Sequence, residues 1–283
     1  MAKSIKRNPD SAPGEWYIDT RCIDCAASRD VAPGLIVERN GLSIFARQPA
    51  SEEEQTAAWR AALLCPTASI RREHPQAPPE GLFPQALAAG VFRCGFNARS
   101  SFGAHSYLVL RPEGNLLVDS PRFAPQLLKR FEEWGGIGDI LLSHQDDVAD
   151  AGRYADRYSS RVWIHADDAD DVPYATHLIR GEAPVTIREG LVAVPLPGHT
   201  KGSVAYLLED TYLFTGDSLA WNPERQRLIA YRDACWYSWD VQKESMKRLL
   251  DYDFEWVLPG HGGHVQLPRA EMHQKLAELL VRM

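Results

Sequence analysis

The chain has 283 residues, of which 45% are hydrophobic and 24% are charged, an ordinary globular composition with room for one large domain and one small domain. Its formal net charge is -7 with scattered lysines and arginines, so no basic face for nucleic acid is expected. No run approaches the roughly 20 apolar residues that span a bilayer. Five widely spaced cysteines do not resemble a secreted disulfide framework. We therefore expect a cytoplasmic protein without nucleic-acid or membrane partners.

Residues 1–72 are predicted to form a small domain with an extended start, a cysteine-containing loop, a strand at 42–46 and a helix. Ser51 followed by Glu54 is a capping box, in which each residue satisfies a free backbone N–H group of the other at a helix start. The helix is expected to end at Cys65, because the proline that follows cannot continue it.

The proline-rich, mixed-charge residues 73–85 are predicted to be a linker, and residues 86–283 a second, larger domain. Short apolar runs alternate there with helical patterns. Strands are predicted at 105–110, 115–119, 140–142, 161–165, 191–196, 203–208, 212–214 and 256–258, and helices through Leu127 and Phe131 and at 151–157, 241–250 and 268–282. Strands covered by helices predict a layered α/β sandwich.

Five side chains able to bind a metal follow predicted strands. They are His144, Asp146, His199, Asp217 and His261. Loops at strand ends can bring side chains from separate segments to one point. Imidazoles together with carboxylates suit zinc, iron or manganese. The sequence therefore predicts a metal site built from these five residues.

The order of the motifs carries a resemblance. After an Asn-Leu-Leu-Val-Asp-Ser strand come Ser-His-x-Asp, Pro-Gly-His-Thr, Thr-Gly-Asp and Pro-Gly-His. This series resembles the metallo-β-lactamase superfamily across roughly residues 91–283. The resemblance implies an αββα sandwich that holds metal at the ends of its strands.

The first motif of that superfamily, His-x-His-x-Asp-His, is incomplete in this chain. His144 matches the first histidine, Asp146 replaces the second, and Val148 and Ala149 stand at the last two positions. If the loop carries a two-residue insertion, Asp150 supplies the aspartate instead. The last histidine is missing in both alignments.

Counting ligands favours a mononuclear site. One half of the predicted site keeps four ligands, whereas the other keeps Asp217, His261 and one of Asp147 or Asp150, which weakens a two-metal clamp. A carboxylate at Asp146 is similar to flavodiiron proteins. The positions of His144, His199 and Asp217 are similar to those that hold the single iron of persulfide dioxygenases. The resemblance thus favours non-haem iron, with zinc as the alternative.

The cysteines form a second pattern. Cys22-Ile-Asp-Cys25-Ala-Ala-Ser28, followed at a distance by Cys65-Pro66, resembles a single-cluster bacterial ferredoxin in which Ser28 replaces the third cysteine. The resemblance implies a small α+β ferredoxin-like domain that holds a [4Fe-4S] cluster or, because serine is a poor iron ligand, a [3Fe-4S] cluster. The alternative is a domain that has lost its cluster and serves only for packing.

Three functions remain open from the sequence. The first is redox chemistry on a small-molecule substrate, with an external electron donor as a candidate partner and the cluster passing electrons singly. The second is metal-dependent hydrolysis of an ester, thioester or lactone, with Asp146, Asp147 or Asp150 orienting water or accepting its proton. The third is a metal or redox sensor. The aromatic stretch 219–239 is expected to form a wall over the metal or to pack the domain edge. The sequence does not predict the oligomeric state.

Overall fold

A computed structural model describes residues 6–283, so the first five residues of the predicted N-terminal domain lie outside it. The N-terminal elements are β1 (Trp16–Ile18), α1 (Ala27–Val31), β2 (Ile36–Arg39), β3 (Leu42–Phe45), α2 (Glu52–Leu64) and β4 (Ile70–Arg72). Strands β1 and β4 pair antiparallel, as do β2 and β3. Ser51 Oγ accepts a hydrogen bond from the Glu54 amide at 3.2 Å, and α2 ends just before Cys65, as the capping box and the proline predict.

A seven-stranded sheet begins the larger part of the chain. Its strands are β5 (Gln85–Ala88), β6 (Val91–Arg93), β7 (Tyr107–Val109), β8 (Leu116–Val118), β9 (Asp139–Leu141), β10 (Arg161–His165) and β11 (His177–Ile179), in spatial order β11-β10-β9-β8-β7-β6-β5. Strands β8 to β11 run parallel, and the other pairs are antiparallel. The helices α3 (Pro125–Glu133) and α4 (Ala151–Tyr158) connect its parallel strands.

A six-stranded sheet follows. It contains β12 (Val185–Arg188), β13 (Leu191–Pro195), β14 (Val204–Leu208), β15 (Tyr212–Gly216), β18 (Trp256–Pro259) and β19 (Val265–Gln266), in that spatial order. Between β15 and β18 the chain forms a hairpin of β16 (Ala220–Asn222) and β17 (Arg227–Ile229), and then α5 (Trp239–Met246). The last helix is α6 (Arg269–Arg282). The helix expected at 241–250 is therefore shorter, because a 3₁₀ turn at Lys247–Asp251 takes over its second half.

The two sheets pack face to face between layers of helices. Tyr107 on the first sheet and Phe214 on the second lie 5.5 Å apart between ring centroids in the central core. Phe131 of α3 is buried against the outer face of the first sheet, and Met272 of α6 against the outer face of the second. This is the predicted αββα sandwich. Within residues 6–283, no helix combines the length and the apolar character needed to cross a bilayer.

Candidate metal centre

The predicted ligands lie where strands end at one edge of the sandwich. His144 lies three residues beyond β9, Asp217 follows β15 directly, and His261 lies two residues beyond β18. His199 occupies the loop between β13 and β14. Since these strands belong to two sheets packed on each other, their ends deliver the four side chains to one place.

Two groups of potential ligands form there. In the first, Asp217 Oδ2 lies 3.7 Å from His199 Nε2 and 3.9 Å from His144 Nε2. In the second, Asp217 joins Asp147 and His261, and the three ligand atoms lie within 4.8 Å of one another. His261 Nδ1 lies 2.8 Å from Asp217 Oδ1. Asp217 therefore stands between two clusters of donors.

This second group is the weaker half of the site expected from the sequence, with Asp147 rather than Asp150 as its second carboxylate. Asp147 lies in a 3₁₀ turn (Gln145–Asp147) that directs its carboxylate inward, although the motif register assigned the position no fixed role. A Cβ added to Gly260 would lie 2.6 Å from Asp147 Oδ2 and 2.8 Å from Asp217 Oδ1. Only glycine leaves room there for both carboxylates, so the chain offers donors for two ions.

Buried nitrogen and oxygen atoms that lack a hydrogen-bond partner indicate that the site fits a cation. His144 Nε2, His199 Nε2 and both carboxylate oxygens of Asp147 are buried and have no hydrogen-bond partner. Leaving such groups unsatisfied costs roughly 1–3 kcal/mol each, so native proteins rarely do so without a function. Imidazole nitrogens and carboxylates are the ligands of zinc and non-haem iron. The residues present therefore fit a metal centre.

The electrostatics of the site point the same way. Burial lowers the pKa of His144 to about 4, which leaves the ring neutral and able to ligate at neutral pH. Burial, together with the charge of Asp217, raises the pKa of Asp147 well above its usual value. Burial favours neutral His261, but Asp217 outweighs it and raises the pKa of His261 to about 10. A cation that binds the second group must therefore displace the proton of His261.

A hydrogen-bonded chain behind His144 sets its tautomer. Ser143 Oγ donates to Asp119 Oδ2 at 3.0 Å and lies 2.9 Å from His144 Nδ1. Because the hydroxyl proton goes to Asp119, Ser143 Oγ accepts from His144 Nδ1–H. This leaves the Nε2 lone pair facing the cleft, an arrangement common to metal-binding histidines.

The other two predicted aspartates have different positions. Asp146 is 43% exposed, lines the cleft, and has Oδ2 3.5 Å from His199 Nε2. Asp150 lies apart from both ligand groups: its Oδ2 accepts a hydrogen bond from the Phe123 amide at 2.7 Å, at the start of α4. The alternative register, in which Asp150 supplied the motif aspartate, is therefore not the one that the fold adopts. Asp147 occupies the inner position instead.

Asp168 was not among the predicted site residues. It is buried, and it accepts hydrogen bonds from Thr200 Oγ1 at 2.5 Å, the Gly202 amide at 2.7 Å and the Gln145 amide at 3.1 Å. It thereby ties the loop of His144 to that of His199. The available signal was its position in the turn after β10, the same strand-end placement that identified the ligands.

Replacing Asp168 with alanine should lower the free energy of unfolding by about 3 kcal/mol, because two buried donors and one part-buried donor lose their acceptor. Urea denaturation followed by circular dichroism measures this change. The matched control is Asp167→Ala, because Asp167 is 40% exposed and its carboxylate makes only surface-type pairs with Lys201 at 3.0 Å and His165 at 3.6 Å, so it should cost no more than about 0.5 kcal/mol. Equal losses in the two variants would contradict the bracing role of Asp168.

The ligand groups form the floor of a cleft of about 770 Å³ whose walls come from both parts of the chain. Phe102 and Trp236 stand at its rim, whereas Cys25 and Arg29 belong to the N-terminal domain. Residues of the aromatic stretch 219–239 therefore have different roles: Trp236 lines the cleft, whereas Trp221 is buried in the outer core.

The three cysteines of the ferredoxin-like pattern meet in one pocket. Cys22, Cys25, Cys65 and the buried hydroxyl of Ser28 line it. Cys65 Sγ lies 3.4 Å from the amide of Ser69, which donates to it, and hydrogen bonds of this kind stabilise a thiolate. Three thiols and one hydroxyl around a shared pocket fit an iron–sulfur cluster.

Ser28→Cys should convert a three-iron cluster into a four-iron cluster, because the added thiol completes the ligand set at that corner. Electron paramagnetic resonance of the oxidised and the reduced protein, together with acid-labile sulfide, would record the change. An unchanged spectrum without sulfide in either protein would instead support a domain that has lost its cluster.

The cysteine pocket and the metal cleft are neighbours, and Cys25 lines both. A Cβ added to Gly103 would lie 2.7 Å from Cys25 Sγ, so the two residues are in direct contact. The carbonyl of the preceding residue, Phe102, lies 3.4 Å from His261 Nε2. His105 adds a second link, because its Nε2 lies 3.2 Å from Asp30 Oδ2 while its amide donates to Gly260.

Comparison with family models confirms both resemblances. The model described as the 4Fe-4S single cluster domain of ferredoxin I matches residues 18–72, and that of the metallo-beta-lactamase superfamily matches residues 91–281. DIM-1 metallo-beta-lactamase is 17% identical, covers 69% of this chain and 95% of its own, and has a TM-score of 0.51. FIM-1 from Pseudomonas aeruginosa, in its mono-zinc form, is 19% identical over 70% of this chain and 94% of its own, with a TM-score of 0.52. At these identities the likeness concerns the fold alone.

Two curated relatives are named hydroxyacylglutathione hydrolase. The one from Fuscovulum blasticum is 36% identical over 107 residues, which cover 36% of this chain and 42% of the relative. The one from Shewanella pealeana is 28% identical over 130 residues, which cover 44% of this chain and 46% of the relative. The chain thus spans less than half the length of either relative.

Proposed function

The chain belongs to the metallo-beta-lactamase superfamily, and on that premise we propose that its cleft hydrolyses a thioester or ester with the help of two metal ions. The observation that carries this proposal is the pair of ligand groups that share Asp217. The sequence alone favoured redox chemistry because the second group keeps few ligands and an iron–sulfur domain is attached. In the structure the ligand atoms of Asp147, Asp217 and His261 lie within 4.8 Å of one another, which supports a second ion, and the names of the curated relatives favour hydrolysis.

The side chains divide the work in this proposal. His144, His199 and Asp217 would hold one ion, and Asp147, Asp217 and His261 the other. Bound there, the ions would supply Lewis acidity to a carbonyl group and to a water molecule. Asp146 reaches the cleft from the side of His199, where its exposed carboxylate can accept the proton that water loses.

A test compares the wild-type protein, purified without oxygen, with His199→Ala. Zinc, iron, acid-labile sulfide and the hydrolysis of a panel of acyl thioesters and esters are measured for each. We expect His199→Ala to lose metal and hydrolysis together while retaining the sulfide, and His273→Ala to match the wild type, because His273 is an exposed histidine on α6. Full hydrolysis by His199→Ala would overturn the proposal.

One-electron redox chemistry is the second candidate, and the position of Cys25 between the cysteine pocket and the cleft favours it. It predicts iron rather than zinc in the cleft, no thioester turnover, and a cluster whose reduction by an external donor changes the spectrum of that iron. Zinc in the cleft would exclude it, because zinc has no redox chemistry. The sensor alternative predicts bound metal with neither activity.

A further inference from the structure

Exposed aromatic side chains concentrate at the metal cleft. Among residues 6–283, the exposed large hydrophobic side chains are Phe102, Leu178, Trp236, Tyr237 and Val281. Phe102 is 53% exposed and Trp236 is 68% exposed, and both line the cleft although they are far apart in sequence. Exposed apolar surface gathered at a cleft is typical of a binding site.

Each aromatic ring stands beside one half of the metal centre. The ring centroids of Phe102 and His261 are 6.1 Å apart, and those of Trp236 and His199 are 6.3 Å apart. The amides of Trp236 and Tyr237 both donate to the carbonyl of His199, which fixes the Trp236 side of the rim to a ligand loop. When the reacting group of a substrate lies over the ligands, the substrate atoms next to that group would therefore contact these two rings.

The charges of the cleft argue against an anionic substrate arm. Among the described residues, Arg29 lines the cleft, and no other arginine and no lysine does so. Its Nη1 lies 2.6 Å from Asp24 Oδ1 and 2.9 Å from Ser43 Oγ, so its charge is already paired. Glutathione carries two carboxylates, and binding them away from water requires cationic or hydrogen-bonding partners. The described lining offers the hydroxyl groups of Ser100, Ser101 and Tyr231 but no unpaired cation to balance two negative charges.

Resting on the hydrolytic function proposed above, we propose that the substrate is a thioester of an extended apolar acyl chain, which lies between Phe102 and Trp236, with an uncharged thiol as leaving group. The reaction adds the hydroxyl of water to the carbonyl carbon and breaks the carbon–sulfur bond. The thiolate takes up one proton of the water, the other proton is released to solvent, and the products are a carboxylate and a free thiol. Phe102 and Trp236 then act as specificity-determining residues.

The test uses N-acetylcysteamine thioesters of straight-chain acids from acetyl to decanoyl, with the full chain in its metal-loaded form. We expect kcat/KM to rise by roughly fourfold for each added methylene until the rim is covered, the scale of burying one methylene. Phe102→Ala and Trp236→Ala should each flatten this dependence. Leu178→Ala should preserve it, because Leu178 is 41% exposed on β11 and does not line the cleft. Octanoyl glutathione should be a poorer substrate than octanoyl N-acetylcysteamine.

A second measurement separates this inference from the function on which it rests. Octanamide is an uncharged apolar probe, and its binding is measured by the change in tryptophan fluorescence. The wild type is compared with Trp236→Phe, which lacks the tryptophan at the rim of the cleft. Binding without hydrolysis of any thioester would overturn the hydrolase and leave the apolar subsite standing. Equal turnover of acetyl and decanoyl thioesters would overturn the subsite and leave the hydrolase standing. Neither binding nor turnover would overturn both.

Discussion

Asp217→Ala should empty both halves of the metal centre and reduce kcat/KM on the order of 10³-fold or more, the scale on which removing one member of a catalytic unit acts. Asp217 is the one residue that belongs to both ligand groups. Its carboxylate approaches His144, His199 and His261, so alanine leaves these imidazoles without the anion that a shared ion needs. Metal content by mass spectrometry and steady-state kinetics measure the two losses.

The variants that accompany Asp217→Ala separate a specific loss from unfolding. Asp171→Ala replaces an exposed aspartate in the same domain and should retain metal and activity. Cluster absorption should survive in Asp217→Ala, because Asp217 does not line the cysteine pocket. If Asp217→Ala kept one ion per chain, the shared-carboxylate arrangement would be wrong, and a mononuclear site held by the remaining residues would replace it.

Much of the fold and the ligand set could be predicted from the sequence because both follow from local patterns. Apolar runs that stop at turns rich in glycine, histidine and aspartate mark buried strands and their ends. A side chain just beyond a strand end is carried to the edge of the sheet whatever the rest of the chain does. His144, His199 and Asp217 were predictable for this reason.

Asp147 shows where such reasoning leaves a choice open. The sequence offers Asp147 and Asp150 as alternatives for the carboxylate of the second ligand group and does not decide between them. The chain forms a 3₁₀ turn, and the space above Gly260 accepts the Asp147 carboxylate. Whether a side chain points inward then depends on a glycine more than a hundred residues away, which no local pattern reveals.

The residues that form the walls of the cleft could not be predicted from the sequence either. Arg29 and Cys25 enter it from the N-terminal domain, and Phe102 enters from the loop before β7. Their approach results from packing between two domains, in which Ala27 and Leu64 share a core with helices α3 and α4. Sequence spacing describes each domain separately, so it predicted two sites but not that they are adjacent.

Gly103→Ala should damage the cysteine pocket and the His261 half of the metal centre together. Gly103 has φ of +89°, which is unfavourable for alanine, and the added methyl group would lie 2.7 Å from Cys25 Sγ. Overpacking and backbone strain together should lower the free energy of unfolding by about 2–4 kcal/mol. We expect less acid-labile sulfide and a fall from two metal ions to one, since Phe102 O contacts His261 Nε2.

Gly41→Ala is the control for backbone strain alone. Gly41 likewise has a positive φ, of +73°, but an added Cβ meets nothing within 4 Å. This variant should therefore lower the free energy of unfolding by only about 1 kcal/mol and retain both sulfide and metal. Urea denaturation, sulfide content and metal content are measured on both proteins. If Gly103→Ala behaved like Gly41→Ala, the contact with Cys25 would be incidental. A joint loss restricted to Gly103→Ala would mean that the cluster pocket and the second metal position depend on the same two backbone residues.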